Sequence, residues 1–167
     1  MKKIIAEPRL MNAIENKNAT EFKTWLDFVA SKPDSQYSLA MALDWSAEKM
    51  LPEFLMLLSP HFISHQETVK ALNQVLKWGN LECVKIILPL CQSFLSTSDS
   101  YYGLIWAIRA DYQECIAEVL PHVNLQRLLE QMEEACQKTP TRKLNMERFI
   151  LKHSATEPTM QRPTRRL

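Results

Sequence analysis

Four short segments of this chain repeat one another, and that periodicity restricts the fold more than any single residue does. They are Glu21-Phe22-Lys23-Thr24-Trp25-Leu26, Glu53-Phe54-Leu55-Met56-Leu57-Leu58-Ser59-Pro60, Glu82-Cys83-Val84-Lys85-Ile86-Ile87-Leu88-Pro89 and Glu114-Cys115-Ile116-Ala117-Glu118-Val119-Leu120-Pro121. Their glutamates fall at steps of 32, 29 and 32 residues. Phe or Cys follows each Glu, and Pro closes the last three. Within each segment the apolar residues recur at three- and four-residue steps, which gives one oily face of a helix. Glu lies in the first turn, where the helix dipole favours negative charge. Pro stands where the helix is expected to stop.

A shorter apolar stretch precedes each segment: Leu10 to Lys17, Tyr37 to Trp45, Val69 to Trp78 and Tyr102 to Ala110. Near its end each carries a small or aliphatic pair, Ala13-Ile14, Ala42-Leu43, Val75-Leu76 and Ala107-Ile108. Each unit therefore reads as helix, tight turn, helix, loop, with extra residues Glu48 to Pro52 between the helices of the second. One such pair cannot bury both its oily faces, but stacked pairs can. A fifth pair is expected after Asn124, with Leu144 to His153 as its outer, solubilising helix. The expectation is an all-α solenoid of four to five stacked helix-turn-helix repeats. It forms one domain over residues 1–153, followed by a flexible basic tail over 154–167.

The residues at Lys77-Trp78-Gly79-Asn80-Leu81-Glu82-Cys83-Val84-Lys85-Ile86-Ile87-Leu88 resemble the centre of an ankyrin repeat. That centre has Gly, a polar residue, an apolar residue and Glu, then an aliphatic second helix. Ala110-Asp111-Tyr112-Gln113-Glu114-Cys115-Ile116 is similar with Asp111 in place of Gly, and Lys17-Asn18-Ala19-Thr20-Glu21-Phe22 is similar with Asn18 there. The period is close to the family's roughly 33 residues. The chain departs from the family in lacking the Thr-Pro-Leu-His start and the glycine-rich hairpin tips. The resemblance is to the degenerate ankyrin-like stacks of bacterial proteins and covers about residues 9 to 124. An unrelated α-solenoid or an irregular helical bundle is the structural alternative.

The resemblance implies binding through the first helices and the loops beside them. The outward positions just before the turn are then Asp44 and Trp45, Lys77 and Trp78, and Arg109 and Ala110, with Asn16 and Lys17 in the first unit. Trp45 and Trp78 become equivalent. Either their rings form a partner-binding stripe beside Asp44, Lys77 and Arg109, since Trp and Arg are favoured at interfaces, or they fold back between repeats. Tyr101-Tyr102 follows the polar stretch Ser96 to Ser100. Tyr101 is a candidate aromatic lip for the same partner, or a residue at a helix start whose ring packs inward.

Other chemistry finds little support. With only two glycines, Gly79 and Gly103, strand-rich folds and phosphate-cradling loops are disfavoured. Cys83 and Cys115 share one repeat position, which suits a small core residue and not a nucleophile. Cys91 and Cys136 have no identifiable His partner, and no cysteines form a C-x-x-C pair. His61 and His65 are four apart but have no third ligand nearby, so neither a metal nor a cofactor is expected. There is no nucleophile elbow, P-loop or dinucleotide fingerprint. From Arg142 onward the charge is +5, and over the rest it is −4. The basic end could touch nucleic acid or an acidic partner, but the mildly acidic body argues against a helical-repeat nucleic-acid binder.

The expected function is protein–protein interaction, as an effector, adaptor, inhibitor or immunity protein, without catalysis. The alternatives are an enzyme whose site on a helical scaffold forms no local motif, or a helical-repeat nucleic-acid binder. Neither a membrane span nor a secretory signal is readable at the N-terminus, so a cytoplasmic protein is expected, or one exported without such a signal.

Overall fold

A computed structural model describes residues 3–61, 63–138 and 144–154. Among them the chain forms ten α-helices and no strand: α1 (Lys3–Glu15), α2 (Ala19–Ala30), α3 (Gln36–Glu48), α4 (Pro52–Leu58), α5 (His65–Trp78), α6 (Leu81–Leu95), α7 (Tyr102–Ala110), α8 (Gln113–Val119), α9 (Leu125–Lys138) and α10 (Leu144–Ser154). A 3-10 turn, Leu120–His122, follows α8. The expected tail, apart from Ser154, lies outside the described residues. No described helix is long and apolar enough to cross a membrane.

The four pairs α1–α2, α3–α4, α5–α6 and α7–α8 turn in the same way. Each first helix ends on a residue with positive φ: Lys17 (52°), Met50 (55°), Gly79 (70°) and Asp111 (65°). The N–H of that residue and of the next one bond back into the helix they leave. Gly79 donates to Leu76 (3.1 Å) and Asn80 to Val75 (3.3 Å); Met50 donates to Ala47 (3.2 Å) and Leu51 to Ser46 (3.0 Å). Lys17 and Asn18 donate to Ile14 and Ala13, and Asp111 and Tyr112 to Ile108 and Ala107. This paired closure satisfies carbonyls that a helix end otherwise leaves open. The residue after the left-handed one then caps the second helix. The Asn18 side chain accepts from the Glu21 N–H (3.1 Å) and Asn80 from Cys83 (3.0 Å). Leu51 has no such side chain, and Pro52 at the first helical position removes one orphan N–H instead.

First helices touch in chain order, α1 to α3, α3 to α5 and α5 to α7, and second helices do the same, α2 to α4, α4 to α6 and α6 to α8. The core runs between the two rows through Leu10, Ile14, Phe22, Leu43, Leu55, Leu72, Ile87 and Leu104, all essentially buried. Phe22 and Phe54 join the first two second helices ring to ring, with centroids 4.8 Å apart. Cys83 and Cys115 lie in this core, as their shared position predicts. Burial pushes the Cys83 thiol up to about 11 and Cys91 to about 12, and raises Cys115 as well. At neutral pH these three are protonated, apolar filler.

Three expectations require correction. α3 extends to Glu48, about one turn beyond the expected end at Trp45, so of the extra residues of the second unit only Lys49, Met50 and Leu51 stand between its helices. α6 continues through Pro89 to Leu95. The ring breaks a helical hydrogen bond, but Cys91 and Leu95 beyond it are buried, and that burial holds the helix together. Finally, the last pair is placed the other way round. α10, not α9, lies against α7. Asn145 of α10 donates to the Arg109 carbonyl (3.1 Å), and Met146 is buried beside the same residue.

Candidate partner-binding face

The left-handed residues give the true register of the first helices. Five residues before each stand Asn12, Trp45, Gln74 and Trp106, and one before each stand Asn16, Lys49, Trp78 and Ala110. Trp45 is therefore equivalent to Trp106, and the expected pairing of Trp45 with Trp78 is wrong by one helical turn. Trp45 and Trp106 are half-buried, and Trp45 packs against the core. Trp78 is 58% exposed, at the end of α5. The Lys77 ammonium lies over its ring, 5.2 Å from the centroid. That contact holds a cation and an aromatic plane together at the surface.

Asp44 spans two units. One carboxylate oxygen accepts from Lys70 of α5 at 3.2 Å, and the other is buried without a hydrogen-bond partner among the described residues. The Asp44 carboxylate, through its hydrogen bond and its charge, raises the Lys70 pKa. Glu67 adds a second, longer contact to Lys70 at 3.8 Å. Arg109 is half-buried. Its guanidinium lies over Trp106, 5.3 Å from the ring, and its Nε–H points at the Met146 sulfur at 2.9 Å. α10 thus covers part of the surface Arg109 was expected to offer.

Tyr101 is excluded from this face. It is only 2% exposed. Its hydroxyl donates to the Leu95 carbonyl (2.7 Å) and accepts from the Asn124 N–H (3.0 Å), while its own N–H donates to the Gln131 side chain (3.0 Å). The residue ties the ends of α6, α7 and α9 together. Its neighbour Tyr102 is the exposed one, at 52%, and it meets Trp106 edge-on with centroids 6.1 Å apart. Sequence reasoning also missed Tyr37, at the start of α3 and 71% exposed. Tyr37 and Tyr102 open two of the first helices, and that placement was the available signal.

Between α5 and the loop before α7 lies a groove of about 680 Å³. Gln66, Val69, Lys70 and Asn73 form one wall, and Phe94 and Tyr102 stand on the other. His65 stacks on Phe94 with centroids 3.6 Å apart. The groove is shaped by a close crossing. Gly103 donates its N–H to Asn73 Oδ1 (2.9 Å), and a Cβ at Gly103 would stand 2.3 Å from the Asn73 carbonyl oxygen. Only glycine lets α7 approach α5 so closely. Among the described residues no three His, Cys, Asp or Glu side chains converge as a metal site would require. Comparison of the chain with protein-family models, with curated proteins and with solved structures gives no match.

Proposed function

We propose that this protein is a degenerate ankyrin-like solenoid that binds a partner protein through its first-helix face, and that it acts by occupying that partner, as an adaptor, inhibitor or effector does. One observation carries the reading. The adjoining helices α3, α5 and α7 leave Tyr37, Trp78 and Tyr102 each more than half exposed, although the core beneath them is closed. Large exposed aromatics cost solubility and are favoured as interface anchors. The three raised thiols and the scattered carboxylates lend no support to catalysis on this scaffold.

Affinity capture from cell extracts, quantified by mass spectrometry, tests the proposal. The wild type is compared with a Lys77→Glu/Trp78→Ala/Tyr102→Ala variant whose helicity and melting temperature match it. A partner enriched by the wild type and lost by the folded variant is the expected result. Equal capture by both removes the first-helix face from the account.

A further inference from the structure

A second cleft lies where α10 looks across at α8 and the turn before it. Its volume is about 380 Å³, within the range of small-ligand pockets. The floor is apolar: Ile108 and Ile116 are buried core residues, and Phe149 is half-buried above them. The rim is basic. Arg148 and Lys152, one turn apart on α10, both line the cleft and are exposed. Neither is paired with a carboxylate among the described residues. One acid lines the cleft, Asp111, and it accepts a hydrogen bond from the Gln113 side chain next to it. His153 completes the rim beside Phe149, with ring centroids 4.3 Å apart. Its pKa is lowered, first by burial and then by the Lys152 charge, so at neutral pH Arg148 and Lys152 are the cations that act here.

We propose that the α8–α10 cleft binds a small organic anion, with an aromatic or aliphatic body on Ile108, Ile116 and Phe149 and a phosphate or carboxylate head held by Arg148 and Lys152. The arrangement separates the two halves of such a ligand. The apolar floor removes the body from water. The two cations present charged donors at one edge, and Arg offers a planar fork that matches either head. An inorganic anion would find the rim but not the floor, and a neutral apolar molecule would find the floor but leave the rim unused. This site does not depend on the partner-binding reading.

The test is a titration of phenyl phosphate, and separately of benzoate, into ¹⁵N-labelled protein followed by amide chemical shifts. At least one of the two is expected to give saturable shifts at Gln113, Ile116, Arg148 and Lys152. Inorganic phosphate and phenol alone are expected to bind about tenfold more weakly. An Arg148→Ala/Lys152→Ala variant, with both changes on an exposed helix face, is expected to keep its melting temperature and lose about tenfold in affinity. Absence of saturable shifts with both probes overturns the proposal. So do shifts confined to other parts of the chain, or equal binding by the folded double variant.

Discussion

The second and third units make one turn from two different sets of residues. In the third, Gly79 takes the left-handed position without a Cβ penalty, and Asn80 caps the helix that follows. In the second, Met50 holds the same backbone at a φ of 55°, and Leu51 stands where no side-chain cap is possible. Left-handed backbone costs a residue with a Cβ about 1–2 kcal/mol. The second turn survives because its two back-bonds and the burial of Ala47, Phe54 and Leu55 on either side outweigh that strain. Turn geometry here is fixed by the neighbours it must join, and local sequence only sets how much strain remains.

Substitutions at the turns should widen or close this gap. The largest effect is expected for Gly79→Ala. The new Cβ meets positive φ and stands 2.5 Å from the Tyr112 ring. We expect a loss of about 3 kcal/mol in urea unfolding. Adding Tyr112→Ala should relieve the clash but not the backbone strain.

The two units also differ in what they bury after the turn. The third has Cys83 where the second has Phe54. Below the ordinary thiol value of 9.0 both Cys83 and Cys91 are protonated, folded or unfolded, and stability is unaffected. Above it the unfolded chain releases protons that the folded chain retains up to about 11 at Cys83 and about 12 at Cys91. Stability should therefore fall as pH rises from 9 toward 12, by about 3 kcal/mol at pH 10 for the two thiols together. A Cys83→Ala/Cys91→Ala variant should be less stable at pH 8 yet show a shallower loss between pH 8 and pH 10. An identical slope in both proteins contradicts the assignment.

Smaller effects are expected at the caps. Asn80→Ala should cost about 1 kcal/mol by removing the bond to the Cys83 N–H. The smallest change should be a gain. Met50→Gly relieves the strained φ but gives up half-buried packing, for a net stabilisation of about 0.5 kcal/mol. A loss of stability on Met50→Gly would mean that Met50 is held by packing more than it is strained by its backbone.

The same contrast explains how much was legible from the sequence. The periodic Glu, the aliphatic segments and Gly79-Asn80 carry their geometry locally, so the four helix pairs and the core positions of Cys83 and Cys115 were readable. The register of the second unit was not. Ala42-Leu43 imitates the pair found before the other turns, but the pair that accepts the back-bonds is Ser46-Ala47, one turn later. Met50 and Leu51 bear no chemical mark of a turn, so nothing in the sequence separates the two choices. Of the candidate site, Trp78 stands at the surface, while Asp44, Trp45, Lys77 and Arg109 are half-buried and Tyr101 is internal. Tyr101 is held by a bond to nearby Leu95 and by bonds to Asn124 and Gln131, and the last two are distant in sequence from any motif it belongs to. The placement of α10 against α7 was hidden for a similar reason. α9 and α10 are both amphipathic, and amphipathicity does not say which partner a helix will cover.

The central claim is that the first helices, and not the second, meet a partner. Amide hydrogen exchange on the captured complex, read against the free protein, tests it most directly. The account predicts slowed exchange in α3, α5, α7 and the loop over residues 96–100, with α2, α4, α6 and α8 unchanged. Protection confined to the second-helix row would contradict it.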